Sequence, residues 1–151
     1  MSRFCNLKMR PLALAAVLVF ASLSAAVAGG FWITIHSAAS PLGAKTLEAA
    51  VLVEVGGCAN PADATLRGTA EGLVDGKRRS LPLEFIPTSK RGVYAVKKQW
   101  PVEGAWVLAI SGTLFGHSSS QLVELGPKGQ YRARAVEAKQ LAARVEEALK
   151  S

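Results

Sequence analysis

Beyond residue 28 the chain holds one cysteine, Cys58, and no methionine, because Met1 and Met9 are its only two. A lone cysteine removes an internal disulfide as a source of stability, so packing must hold the domain together. The same stretch has two histidines, His36 and His117, and no paired Cys-x-x-Cys, G-x-S-x-G, H-E-x-x-H or phosphate-binding loop. No Ser, His and acid arrangement stands out, and Asp63, Asp75 and Glu103 fall in turns where acids have ordinary turn-forming reasons. The expectation is a protein that is not an enzyme and requires no cofactor.

What is present begins with an export signal. Residues 1 to 11 carry Arg3, Lys8 and Arg10 without an acid, and Leu12 to Leu23 form an apolar run of signal-peptide length. Ala26-Val27-Ala28 supplies the small residues of a cleavage site, which places the cut after Ala28. The rival is an uncleaved anchor, since no charge occurs from Leu12 to Ile35. Cys5 precedes the apolar run and Cys58 lies far beyond it, so lipidation is unsupported. Localisation is expected to be periplasmic or secreted. Of the 18 Lys and Arg, removing those three leaves 15 against 11 Asp and Glu, a charge of +4 rather than +7. That is too mild to argue for nucleic acid.

From Phe31 to Leu125 apolar residues recur at every second position in short runs broken by Gly, Pro, Asp and Ser, the rhythm of half-buried strands. Seven strands are predicted, over 31–36, 46–55, 64–74, 77–86, 92–99, 104–111 and 121–125. Asp75-Gly76 predicts a two-residue hairpin, because both residues tolerate positive φ. Pro82 lacks a ladder donor and predicts an edge. Arg132 to Lys150 is rich in helix formers, with a narrow stripe of Ala138, Leu141, Val145 and Ala148. The expected architecture is all-β, an antiparallel immunoglobulin-like β-sandwich of about seven strands with an N-terminal signal helix and a C-terminal α-helix. The division is a signal peptide over 1–28, a sandwich over 29–127 and a helical tail over 128–151.

The segment GVYAVKKQWPVEGAWVLAIS, Gly92 to Ser111, resembles extracytoplasmic β-sandwich domains of the YtkA-like and FixH-like families. The matching residues are Gly92, Tyr94, Pro101, Gly104 and Trp106, a Gly-x-Tyr start followed by a Pro-x-x-Gly-x-Trp corner. The resemblance implies a sandwich fold, and in some relatives metal handling or oxidase assembly through Met and His ligands. This chain departs from that pattern by having no Met after residue 28, which argues against a copper role.

If the strands alternate in direction, the loops over 56–63, 87–91 and 112–120 gather at one end. Asn60, Asp63, Lys90, Arg91 and His117 are the candidate binding residues there, with His36, Asp75 and Glu103 at the other end. Cys58 and His117 are candidate ligands for copper or zinc, or a thiolate and its base, with Asp63 a third ligand. The plainer reading makes Cys58 a buried filler and His117 a turn residue. His36 reads as a solvated strand residue. Lys77-Arg78-Arg79, Lys90-Arg91 and Lys97-Lys98 suit either anionic headgroups or the defence of sheet edges, the second being favoured. Together these features point to a non-catalytic exported module contacting a protein or envelope partner. The alternatives are a periplasmic metal-handling protein and an assembly factor anchored by its leader.

Overall fold

A computed structural model of the chain describes residues 30–42, 48–57 and 59–151. The leader, Thr46 and Leu47 at the expected start of the second strand, and Cys58 lie outside those residues. The described elements are β1 (Phe31–Ser37), β2 (Ala49–Gly57), β3 (Thr65–Val74), β4 (Lys77–Pro82), β5 (Phe85–Pro87), β6 (Val93–Lys97), β7 (Ala105–Leu114), β8 (His117–Leu125), β9 (Tyr131–Ala135) and α1 (Leu141–Ala148).

Alternation in β1 puts Ile33 and Ile35 inside and Trp32 and Thr34 outside, and in β2 it buries Val51, Val53 and Val55. All described pairings are antiparallel, in two sheets of order β1-β2-β6-β5 and β4-β3-β7-β8-β9. With β1 to β8 read as A, B, C, C′, D, E, F and G, these are the ABED and C′CFG sheets of an immunoglobulin-like sandwich. The strand β9 extends the second sheet beyond G. The core between them joins Ile33, Val51 and Val53 of one sheet to Leu108, Ile110 and Val123 of the other. Each such side chain contributes about 1.5–3 kcal/mol by leaving water.

Three boundaries differ from the sequence reading, each for a physical reason. The expected strand over 77–86 is two, because the chain crosses from one sheet to the other at Leu83 and Glu84. Its alternation continues unbroken, since Leu81, Leu83 and Phe85 all pack on the one core that both sheets share. Residues 112–120, expected as a loop, are strand and a tight hairpin: Leu114 pairs with His117 around Phe115 (φ 47°) and Gly116 (φ 81°). The C-terminal helix begins at Leu141 and not near Arg132, because Tyr131–Ala135 pairs with Gln121–Leu125. Long-range ladder bonds there outweigh helix propensity.

The Asp75-Gly76 hairpin is present, with φ of 50° and 71° between the paired Val74 and Lys77. Pro82 sits on an edge as expected, β4 being the outermost strand of its sheet. Helix α1 lies on the outer face of the larger sheet, where Val145 and Leu149 pack on Val107 and Leu122. Arg78 of β4 ties it further, bonding Glu146 of α1 and Glu71 of β3. The β1 edge is closed differently. Gln121 Nε2 donates to the Ile33 carbonyl at 2.9 Å and Tyr131 Oη to the Ile35 carbonyl at 3.3 Å, which occupies acceptors that a foreign strand would need.

Candidate functional site

The loops expected to share one end do so. Gly92 packs against Pro61, and its carbonyl accepts from the Val55 N–H at 2.8 Å. Asn60 caps the short turn over Pro61–Asp63, accepting from the Ala62 N–H at 3.3 Å and donating to Asp63 Oδ1 at 3.2 Å. Both residues are thereby engaged in building their own loop. Lys90 Nζ lies 2.9 Å from Glu54 Oε1, and the other carboxylate oxygen meets His36 Nε2 at 2.8 Å. The Lys90 ammonium, followed by His36, holds the Glu54 carboxyl below the usual carboxylate range, against the opposing pull of burial. His36 is thus half-buried and hydrogen-bonded to Glu54 on the outer face of the smaller sheet, not simply solvated.

Arg91 and His117 are exposed. His117 opens β8 beside the Phe115-Gly116 turn, on the other sheet from His36. Among the described residues no hydrogen bond joins His117 to Asn60, Asp63, Lys90 or Arg91. No group of three His, Cys, Asp or Glu gathers there as a metal site either, and Cys58 lies outside the described residues.

The opposite end holds a cavity floored by aromatic side chains. Trp100 of the β6–β7 connection and Trp106 near the start of β7 are both buried, with ring centroids 6.4 Å apart and planes tilted by 33°. Trp106 Nε1 donates to the Glu103 carbonyl at 2.9 Å, so its polar edge is satisfied and its ring is fixed. Gly104 makes the corner possible. It takes φ of 88°, and a Cβ there would stand 2.5 Å from the Leu73 carbonyl oxygen.

These side chains floor a cleft of about 550 Å³ whose walls include Lys98, Val102, Pro127 and Gln130. That volume falls in the range of about 300–1,000 Å³ typical of binding pockets. It receives Ala50 from the smaller sheet and Trp106 and Leu125 from the larger, so it sits where the sandwich opens between its layers. Chemically it offers an apolar floor, one ammonium and one amide, with Val102 82% exposed at the rim. It would hold apolar groups and orient a carbonyl or carboxylate.

The sequence reading took Pro101, Gly104 and Trp106 as makers of the fold, and all three also line this cleft. What was missed is the convergence of Leu125 to Gln130 on them. The paired prolines and glycines of the two connections were the available signal. Neither a model of a known protein family, nor a curated protein, nor a solved structure matches the chain.

Proposed function

We propose that the protein is a non-catalytic, exported β-sandwich binding module that engages a protein partner in the cell envelope through the tryptophan-floored cleft. The supporting observation is the cleft itself: two buried indoles below, an exposed Val102 at the rim, and Lys98 and Gln130 as the orienting polar groups. Interfaces draw most of their energy from such a desolvated aromatic centre with a few polar contacts around it. The export leader puts the domain where an envelope partner is encountered, and the ion-paired and capped loops of the other end leave the cleft as the more accommodating surface.

The test is affinity capture from native envelope fractions with the wild-type protein and a Val102→Glu, Lys98→Glu double variant. Both positions are exposed, so the variant keeps the core. A partner recovered by the wild type and lost with the variant supports the proposal. Recovery of the same proteins by both refutes it.

A further inference from the structure

Large exposed apolar side chains among the described residues are Trp32, Leu73, Val102 and Phe115, and they divide by type. The two aliphatic ones belong to the cleft end, where Gly104 meets the Leu73 backbone. The two aromatic ones belong to the opposite end. Trp32 is 52% exposed and lies flat on Gly56, whose Cβ would stand 2.3 Å from the indole. Phe115 is 74% exposed at the tip of the β7–β8 hairpin.

Phe115 is costly twice over. Its φ of 47° is a left-handed conformation, which for a residue with a Cβ costs roughly 1–2 kcal/mol and which Gly, Asn or Asp take more readily at this turn position. Its ring is also turned to solvent rather than packed. The neighbouring Leu114 reaches back to Gly57 at the end of β2, so Phe115 stands at the outer end of the sandwich.

The same end carries Lys90 and the exposed Arg91, and it is where the chain enters the domain at the exposed Gly30. Upstream of that point the sequence has no charge back to Leu12. An exposed phenylalanine, an exposed tryptophan and an exposed arginine at one end are the usual equipment of a bilayer interface: aromatic rings at headgroup depth and a cation against anionic lipid. Among the described residues no helix is long and apolar enough to cross a membrane, so any contact made by the domain itself is peripheral.

We infer that this end rests on an anionic membrane surface, with Phe115 at the acyl boundary, Trp32 at headgroup depth and Arg91 against the phosphates. The cleft then faces away from the bilayer. The inference stands on the exposed aromatics and does not depend on what the cleft binds.

The test uses the full gene product, expressed with its own leader and isolated in the form the cell leaves it. It is mixed with phosphatidylglycerol vesicles whose acyl chains are brominated, with phosphatidylcholine vesicles as the uncharged comparison. Quenching of tryptophan emission by phosphatidylglycerol, much weaker with phosphatidylcholine, is expected. Because Trp100 and Trp106 are buried at the far end, the quenching should vanish in Trp32→Phe. Arg91→Gln should weaken vesicle binding about fivefold, the factor equivalent to about 1 kcal/mol per basic residue at an anionic surface. Phe115→Gly, which suits the backbone and so keeps the fold, should weaken it roughly threefold or more. Absence of quenching in the wild type, quenching that survives Trp32→Phe, equal response to both lipids, or undiminished binding by Phe115→Gly would each overturn the inference.

Discussion

Docking of α1 on the outer face of the larger sheet rests chiefly on Val145, 3% exposed and packed with Val107, Leu122 and Leu149. Val145→Ala removes two methyl groups from that contact. At about 0.8 kcal/mol for each buried carbon group, and with a further contribution from the cavity left behind, the loss is about 1.5–2.5 kcal/mol. For a domain of this size that lowers Tm by roughly 6–10 °C. The control is Ala143→Gln, an exposed position on the same helix, expected to stay within about 0.5 kcal/mol of wild type. Urea unfolding followed by far-ultraviolet circular dichroism reads both midpoint and slope. A midpoint that falls at constant slope means that α1 unfolds with the sandwich. If Val145→Ala and Ala143→Gln are indistinguishable, the helix does not contribute to the fold as described, and the three-layer arrangement fails.

Three further outcomes follow from named contacts. Gly104→Ala meets both a positive φ and the Leu73 carbonyl and should cost about 2–4 kcal/mol; thermal unfolding near wild type would contradict the corner geometry. Phe115→Gly should raise stability by about 1 kcal/mol by relieving the left-handed strain, and a fall in Tm would show that the ring is held by packing. In acid, burial pushes the Glu71 carboxyl up, but hydrogen bonds from Thr69, Ser80 and Arg78 pull harder and hold it below its ordinary value of 4.5. A group depressed on folding stabilises the protein above the unfolded pKa, and that stability disappears as pH falls through the lower folded value. Glu71→Gln should therefore flatten the decline in Tm below about pH 4.5, and an unchanged acid limb in the variant would count against the Glu71–Arg78–Glu146 tie.

Local pattern was enough to read much of the sandwich. The alternation of β1 and β2, the Asp75-Gly76 turn and the edge role of Pro82 each depend on a few neighbouring residues, and each is found. The parts that escaped depend on distant ones. Tyr131–Ala135 has helix-forming neighbours and becomes a strand only because β8 offers a ladder. Leu81, Leu83 and Phe85 alternate without interruption across a change of sheet, because both sheets bury their inner faces in the same core. The Phe115-Gly116 turn lacks the usual Asn or Asp at its first position. In the candidate site, Trp106 was visible as a large residue at a corner, whereas Trp100 was not singled out. The cleft, however, exists only because residues 125–130 return beside them, a proximity that no short-range rhythm encodes. Asn60, Asp63 and Lys90, expected as binding residues, cap their own turn or pair with Glu54.

The most direct test of the central claim is site-specific photo-crosslinking in intact cells, with the reactive side chain placed at Val102 on the rim of the cleft and, for comparison, at the exposed edge residue Arg79. The account predicts a discrete protein adduct from position 102 that is absent from position 79. No adduct at 102, or the same adducts from both positions, would contradict it.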